Sequence, residues 1–346
     1  MAMVDVTVYG AGIFGLSVAW ACTRQGATVQ VIDPNGPGAG SSGGLVGALA
    51  PHVPENWNEK KQFQFESLMM APAYWADITQ TAGKDSGYAQ LGRLQPVADD
   101  HALALARQRA LTAQELWQGQ ATWQVLHADE INDWAPQSPT GWFVHDTLSA
   151  RLHPRMACDA LVAALRSEGA KILVDGDPEG KIVWATGVAD LSRINATRPR
   201  LFGNGIKGQA ALLRIDRRNL PQLFANAVHI VPHVDGTVAV GSTSERDFCD
   251  PATTDTQLDE VLKRAYASVP ALQSAEIIDR WAGVRPRSRS RAPVLGAHPL
   301  DPKAYIANGG FKIGFGMAPK VGQVMADLIL QGKDTIPAGF TPEANF

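Results

Sequence analysis

Three glycines near the N-terminus have the spacing of a dinucleotide-binding turn. Gly10, Gly12 and Gly15 follow a segment of alternating apolar residues and begin an apolar helical segment, and a second strand-like segment ends at Asp33. The glycines permit a tight turn, close approach of a pyrophosphate and close helix–strand packing. The helix N-terminus offers amide donors to phosphates, and Asp33 can accept hydrogen bonds from an adenosine ribose. This pattern predicts a nucleotide site, and because a carboxylate repels a 2′-phosphate, it favours NAD or FAD over NADP.

A loop of small residues follows Asp33 and contains a match to the hydrolase pattern G-x-S-x-G at residues 40–44. That pattern places its serine between a strand and a helix. Here Pro37 and Gly38 precede it, which disfavours Ser42 as a nucleophile. We expect the loop to wrap phosphates and a flat ring instead.

His229 and His233 have the spacing of two zinc ligands on one helix face. The turn signal Asp235-Gly236 between two β-rich segments predicts a hairpin there, which disfavours metal binding. Three cysteines lie far apart and form neither a metal nor a disulfide pattern. No metal site is predicted.

The composition bounds the class of protein. The 346 residues suffice for two domains, and 45% hydrophobic and 19% charged residues are ordinary for a globular protein. A net charge of −3 argues against a protein that binds nucleic acid through a basic surface. No apolar segment reaches the ~20 residues of a membrane span, and no leader is evident. We therefore expect a cytoplasmic protein with no membrane span.

Periodicity predicts several further elements. Segments with apolar residues at helical spacing alternate with β-rich segments. One of the predicted helices, 61–81, is expected to be interrupted at Pro72. The predicted helices are 61–81, 102–119, 151–168, 255–268 and 318–330, and the predicted strands are 171–174, 181–185, 229–233, 237–241 and 305–308.

Five separated segments together resemble the D-amino-acid-oxidase-like superfamily of FAD-dependent oxidoreductases, nearest its glycine oxidase and sarcosine oxidase branch. They are Gly10 to Gly15 with Asp33, residues 41–48, residues 182–187, residues 281–286 and residues 309–314. Two of these segments also resemble the FAD domain of the bifunctional bacterial enzyme that modifies the tRNA wobble uridine. The companion methyltransferase domain of that enzyme has no counterpart in this sequence.

The resemblance implies an α/β protein with two discontinuous domains. A Rossmann-like FAD-binding domain would comprise residues 1–75, 146–200 and 276–346. An α+β substrate-binding domain, built on a large antiparallel or mixed sheet, would comprise residues 76–145 and 201–275.

The resemblance also implies which residues contact non-covalent FAD. Val174 would touch the adenine through its strand backbone, and a helix N-terminus at Ala318 would favour negative charge on the reduced ring. No cysteine lies near Lys312 to link the flavin covalently. The implied FAD contacts are Gly10, Gly12, Ile13, Phe14, Gly15, Asp33, Pro34, Ser41, Ser42, Gly43, Gly44, Leu45, Val174, Ala185, Thr186, Gly187, Gly310, Phe311, Lys312, Ile313 and Gly314.

Three residues are implied near the substrate. Arg285 matches the arginine that binds the substrate carboxylate in the glycine oxidase branch, although a structural ion pair is an alternative. Lys312 is either a second substrate-binding cation or a positive charge near flavin N1. His229 takes the place of an aromatic residue near the substrate.

The implied reaction is oxidation of a small amine or amino acid of the glycine, sarcosine or D-amino-acid type. A hydride would pass from the α-carbon to flavin N5, and the imine product would hydrolyse in water. No acid–base residue is assigned, because the cofactor carries the redox step. Two alternatives stay open: FAD-dependent oxidation of a carboxymethylaminomethyl uridine in tRNA, and a flavin-binding protein without turnover.

Overall fold

The computed structural model describes residues 3–346. In chain order, some strands alternate with helices and others follow one another directly. The strands are β1 (Val6–Tyr9), β2 (Val29–Ile32), β3 (Ala48–Leu49), β4 (Arg93–Pro96), β5 (Trp123–His127), β6 (Trp142–Asp146), β7 (Ala150–Arg151), β8 (Lys171–Leu173), β9 (Lys181–Trp184), β10 (Gly203–Arg214), β11 (Gln222–Ala225), β12 (Val228–Pro232), β13 (Thr237–Gly241), β14 (Glu276–Ser288), β15 (Val294–His298) and β16 (Asp301–Asn308). The α-helices are α1 (Ile13–Arg24), α2 (Glu59–Ala82), α3 (Asp100–Leu116), α4 (Pro154–Ser167), α5 (Val188–Asn195), α6 (Thr256–Ser268) and α7 (Gly314–Gln331).

A six-stranded sheet in the order β15-β16-β9-β1-β2-β8 contains the predicted nucleotide unit. Its five strands from β16 to β8 are parallel, and β15 pairs antiparallel at the edge. Val6 and Val8 of β1 are fully buried, as expected for a strand covered on both faces. Helices α1, α2, α4 and α7 pack against one another in the same hydrophobic core as these strands. This arrangement is the predicted Rossmann-like part of the fold.

An eight-stranded mixed sheet in the order β14-β10-β13-β12-β11-β4-β6-β5 forms the second layer of the protein. Its pairs are antiparallel except for β11 with β4. Leu213, Ile230 and Val240 pack with Val261 and Leu262 of α6 in a separate core. The α/β fold class with a large mixed second sheet is therefore confirmed.

Sheet membership refines the predicted domain boundaries, which themselves stay a prediction. All six strands of the first sheet fall within residues 1–75, 146–200 and 276–346. β14 also falls in the last of these segments, yet it pairs with β10 in the eight-stranded sheet. The change of sheet after Ser288 therefore lies about a dozen residues beyond the predicted boundary at 276.

Several element boundaries differ from the sequence prediction. Helix α2 runs without interruption through Pro72, which lies on its exposed side while the buried face packs on α4 and α7. Burial of that face outweighs the cost of one missing backbone donor. Helix α4 begins at Pro154, where the His153 ring accepts the Met156 amide hydrogen at 3.4 Å. Helix α7 begins at Gly314 and not at Ala318.

The predicted hairpin is confirmed, because β12 and β13 pair antiparallel around Asp235 and Gly236. Gly236 has a φ of +83°, a backbone conformation that glycine adopts without steric cost. The hairpin lies centrally in the eight-stranded sheet, and its residue His229 lines the main cavity of the described structure.

Candidate active site

A cavity of about 870 Å³ extends between the two sheets. Most residues predicted to contact cofactor or substrate line it. These are Gly10, Gly12, Ile13, Phe14, Asp33, Pro34, Ser41, Ser42, Gly44, Leu45, Ala185, Thr186, Gly187, His229, Arg285, Gly310, Phe311, Lys312 and Gly314. Gly15, Gly43, Val174 and Ile313 lie outside the cavity wall. Because β8 ends at Leu173, Val174 follows the strand and is 68% exposed.

The glycine turn is packed so closely that a side chain at its first or third glycine would clash with the backbone. Gly10 has a φ of +101°, and a Cβ there would lie 2.4 Å from the carbonyl oxygen of Ala185. A Cβ on Gly15 would lie 1.9 Å from the carbonyl oxygen of Gly10. Gly15 therefore serves the close packing of helix on strand, which explains why it lies outside the cavity wall.

Ser42 binds the N-terminus of α1. The Ile13 amide donates a hydrogen bond to Ser42 Oγ at 2.9 Å, and Ser42 is almost fully buried. The serine lies in a short 3₁₀ turn, Ser41–Gly43, and not between a strand and a helix as a hydrolase nucleophile does. Its role in the described structure is to connect the small-residue loop to the glycine turn.

Asp33 contacts the same glycine turn from the end of β2. Its carboxylate accepts hydrogen bonds from the amides of Ala11 at 2.8 Å and Asn35 at 3.0 Å. These bonds fix the carboxylate at the edge of the cavity. Its predicted hydrogen bond to an adenosine ribose remains a prediction.

The turn before α7 completes the nucleotide side of the cavity. A Cβ on Gly310 would lie 3.0 Å from Cζ of Phe14, so this turn packs directly on α1. Asn308 Nδ2 donates to the Gly187 carbonyl at 2.9 Å, which joins the ends of β16 and β9. With α7 beginning at Gly314, the positive end of this helix lies at the cavity wall, one turn earlier than predicted.

These features fit FAD. The cavity volume is within the range of about 300–1,000 Å³ that is typical of ligand pockets. The close glycine packing leaves backbone exposed to a pyrophosphate, and the first turns of α1 and α7 leave amide donors without intrahelical acceptors. The remaining wall extends over the eight-stranded sheet, which gives a flat ring a second covered face.

Arg285 projects from β14 into the cavity beside a row of backbone and hydroxyl acceptors. Its Nη2 donates to Ser242 Oγ at 2.7 Å, and its Nη1 donates to the Thr243 carbonyl at 3.3 Å. Burial lowers the pKa of Arg285 to about 10, and the charge of Glu245 opposes that shift. The nearby Glu245 carboxylate lies 3.8 Å from Lys207 Nζ, and the guanidinium binds a hydroxyl and a carbonyl, which counts against the alternative of a structural ion pair.

Lys312 adds a second cation to this end of the cavity. Desolvation lowers the pKa of Lys312, and the charge of Arg285 lowers it further. Both cations line the cavity. A ligand that brings negative charge between them would relieve both the repulsion and the desolvation.

His229 is neutral at physiological pH. Burial, together with the charges of Arg93, Lys312 and Arg285, lowers its pKa to about 3. Its ring packs on Phe224 with centroids 4.6 Å apart across the β11–β12 pair. Phe224 also lines the cavity, so an aromatic ring lies beside His229. The predicted place of His229 near the substrate stays a prediction.

The sequence analysis did not identify several residues of the cavity wall. Phe224 and Ser242 belong to this set, together with Ala227, Pro251 and Ala252. Ser242 directly follows the predicted strand 237–241, which was an available signal. The other four depend on how the eight-stranded sheet and the loop after β13 fold over the cavity.

The basic residues 285–291 do not share one face as an extended segment would. β14 ends at Ser288, so Arg289 and Arg291 lie beyond the strand. Arg289 donates to the Phe346 carbonyl at 3.1 Å, and Arg287 lies over the Phe311 ring. Only Arg285 of the four lines the cavity.

Among the helices of residues 3–346, none combines the length and apolar character needed to cross a bilayer.

Comparisons with known proteins place the chain in a family. The family described as DAO, FAD dependent oxidoreductase, matches residues 5–328. A glycine oxidase of Bacillus licheniformis is 25% identical over 358 residues, which cover 94% of this chain and 93% of the relative. The structure of iminodiacetate oxidase (IdaA) from Chelativorans sp. BNC1 has the same fold, with a TM-score of 0.85, 22% identity, and coverage of 98% and 99%.

Other relatives are longer proteins. The bifunctional protein ThiO/ThiG of Trichormus variabilis is 25% identical over 360 residues, which cover 95% of this chain and 53% of that relative. The chain thus spans about half the length of such bifunctional relatives. The match to the family itself covers more than nine-tenths of the sequence and includes the glycine turn, β14 and the turn before α7. The chain therefore belongs to the DAO family of FAD-dependent oxidoreductases.

Proposed function

We propose that this protein oxidises the carbon–nitrogen bond of a small amine that carries a carboxylate. The observation that supports this proposal is that two cations, Arg285 and Lys312, line the cavity that fits FAD. Asp33 is the acidic residue of the cavity wall, and its carboxylate is bound to the amides of the glycine turn. The charge of the two cations is therefore available to a ligand.

The side chains of the cavity orient and desolvate the substrate. A guanidinium binds a carboxylate through two parallel hydrogen bonds, so Arg285 fixes both the position and the rotation of the bound molecule. Holding the reacting carbon in one orientation supplies much of the rate enhancement for such a reaction. When bound, FAD supplies the acceptor for the two electrons that leave the substrate as a hydride from its α-carbon.

The cavity wall provides no obvious base for the substrate ammonium group. His229, with a pKa of about 3, is neutral, and the charges around it are positive. A positive surrounding disfavours a protonated amine and thereby favours the neutral form that can be oxidised. The imine product then needs only water for hydrolysis, in agreement with the absence of an assigned acid–base residue.

The comparisons support the same substrate class. By their names, a relative at 25% identity acts on glycine and a protein of the same fold acts on iminodiacetate. Both molecules are small amines with a carboxylate one carbon away from nitrogen. We extend this shared chemistry, and not either particular substrate, to this chain.

The proposal is tested by mixing the FAD-loaded protein anaerobically with glycine, sarcosine, iminodiacetate, proline and both enantiomers of alanine. Bleaching of the flavin absorbance by at least one compound is the expected result. If none bleaches it, the protein is either an oxidoreductase of another substrate, such as modified tRNA, or a flavin-binding protein without turnover. Binding to bulk tRNA that weakens with salt would separate those two alternatives.

Replacing Arg285 with alanine should weaken binding of carboxylated amines roughly 10- to 100-fold, because a hydrogen-bonded charge contributes about 1.5–3 kcal/mol. The matched control is Arg214→Ala, whose side chain is 68% exposed and paired with Glu276 at the far end of β10. Kinetics with a carboxylated amine and with its decarboxylated analogue measure the effect. An equal loss with both compounds would contradict carboxylate binding by Arg285.

A further inference from the structure

The guanidinium of Arg285 packs on the neighbouring strand at a glycine, where any larger residue would displace it. β14 and β10 pair so that Arg285 lies opposite Ile206, and its side chain extends over Gly208 two residues along. A Cβ on Gly208 would lie 2.0 Å from both Nη1 and Nη2. Gly208 has no positive φ, so its backbone would accept alanine, and the three atoms nearest to the added Cβ all belong to the guanidinium.

Two acceptors after β13 fix the rotation of the guanidinium plane. Ser242 Oγ accepts from Nη2 and the Thr243 carbonyl accepts from Nη1, so each terminal nitrogen has one protein partner. An arginine carries five N–H donors, and these two bonds leave donors on the same nitrogens for a ligand. The acceptors therefore select one orientation without occupying the whole side chain.

A buried network holds Thr243, one of these acceptors, in place. The Thr243 hydroxyl donates to Glu245 Oε1 and accepts a hydrogen bond from the backbone amide of Gln209 at 2.8 Å. Gln209 Nε2 also donates to Glu245 Oε1 at 3.0 Å, and Lys207 Nζ lies 3.8 Å from Glu245 Oε2. Lys207 and Glu245 are 3% and 6% exposed.

The residues of this network lie in two short segments of the chain. Lys207, Gly208 and Gln209 are consecutive on β10, and Thr243 and Glu245 follow β13. Backbone hydrogen bonds of 2.9 and 3.0 Å join residues 207 and 245 in both directions. The segment after β13 is thus joined to β10 by an antiparallel bridge, which ties the network to the edge of this strand pair.

We propose that Gly208, Ser242 and Glu245 are positioning residues that hold Arg285 ready to receive a substrate carboxylate. We name these three residues the arginine seat. The inference rests on the proposed function, in which Arg285 binds that carboxylate. Glu245 acts at a distance, through Thr243 and through its charge, whereas Gly208 and Ser242 contact the guanidinium directly.

The test is a double-mutant cycle with Gly208→Ala, Arg285→Ala and the combined variant, and with Gly339→Ala as control. A Cβ on Gly339 would meet no other atom within 4 Å, and this glycine lies in a C-terminal 3₁₀ turn. The dissociation constant of acetate for each FAD-loaded variant is measured from the flavin absorbance change, and FAD content and melting temperature are recorded.

A positioning role predicts that Gly208→Ala weakens acetate binding roughly 10- to 100-fold, as Arg285→Ala does. It also predicts that the double variant is no weaker than Arg285→Ala, since the new methyl group then has no guanidinium to displace. Gly339→Ala should bind acetate as the parent does. Additive losses in the double variant would overturn the inference, because a general structural defect does not depend on Arg285.

Two further outcomes separate this inference from the proposed function. If Arg285→Ala weakens acetate binding and Gly208→Ala does not, the arginine seat is refuted while the carboxylate role of Arg285 stands. If Arg285→Ala leaves acetate binding unchanged, the proposed role of Arg285 fails and the seat fails with it. Should Gly208→Ala not fold, Ser242→Ala decides: weaker acetate binding that Ser242→Thr restores supports the seat, and unchanged binding refutes it.

Discussion

His233 lies in the buried layer behind the cavity, and its replacement by glutamine tests how this layer responds to acid. The side chain is fully buried at the end of the β12–β13 hairpin. Its Nε2–H donates to the carbonyl of Leu45, a residue of the cavity wall, at 2.9 Å. Nδ1 is buried and has no hydrogen-bond partner among residues 3–346, so a proton added there would have no acceptor.

The expected magnitude follows from the pKa of His233. This pKa is lowered from 6.5 to about 3, chiefly by burial and also by the charges of His153 and Arg151, while the Leu45 carbonyl and Asp235 act in the opposite direction. Between these values the unfolded chain binds one proton that the folded chain does not, so stability falls as the pH is lowered. The loss is about 1.4 kcal/mol per pH unit, or roughly 3 kcal/mol between about pH 6.5 and pH 4.5.

His233→Gln should remove this loss, because glutamine can donate to the Leu45 carbonyl and does not titrate. The free energy of unfolding in urea is measured at about pH 7 and about pH 4.5 by tryptophan fluorescence. The parent should lose roughly 3 kcal/mol more than the variant over this interval. The contributions of His229 and of carboxylates remote from position 233 are common to both proteins and cancel in the difference. Those of Asp235 and His153 do not cancel fully, because both groups interact electrostatically with His233.

His101→Gln is the matched control, since His101 is exposed on α3. It should lose as much stability as the parent over the same pH interval. The reasoning is refuted if His233→Gln and the parent have equal pH dependence, or if the His233 imidazole titrates near its ordinary pKa in the folded protein.

Two more substitutions test the glycine turn and the eight-stranded sheet. Gly15→Ala should reduce retained FAD, measured as the flavin-to-protein absorbance ratio, because its methyl group would lie 1.9 Å from the Gly10 carbonyl oxygen and such overpacking costs about 1–3 kcal/mol. Full FAD content with unchanged affinity would contradict this expectation, and Gly339→Ala again serves as control. Asp146→Ala should destabilise the protein by about 3–5 kcal/mol in urea unfolding, because it leaves the buried Arg93 guanidinium, now 3.0 Å from the carboxylate, without its partner. A double variant with Arg93→Met should recover part of that loss, and no recovery would argue against the buried charge as its cause.

Features encoded by neighbouring residues could be predicted from the sequence. The glycine turn with Asp33, the strands of the Rossmann-like sheet and the Asp235-Gly236 hairpin all depend on residues within one supersecondary unit. Their spacing reflects the period of a strand or helix and the backbone freedom of glycine, both of which are local properties. Arg285 and Lys312 could be named because each lies in a short segment that resembles a family pattern.

Tertiary packing decided the features that local patterns left open or predicted wrongly. Pro72 was expected to interrupt a helix, yet burial of the opposite face keeps α2 continuous. The start of α7 at Gly314 depends on the packing of its first turn against Phe14, which lies far away in the sequence.

The surroundings of Arg285 show most clearly the difference between what the local sequence predicts and what tertiary packing decides. The sequence supplied the arginine, but its partners lie on β10 and after β13, some 40 to 80 residues earlier in the chain. Only the pairing of β10 with β13 on one side and β14 on the other places Gly208 beneath the guanidinium and Ser242 beside it. A sequence specifies such contacts through strand register, and register is set by burial over the whole sheet and not by any single motif.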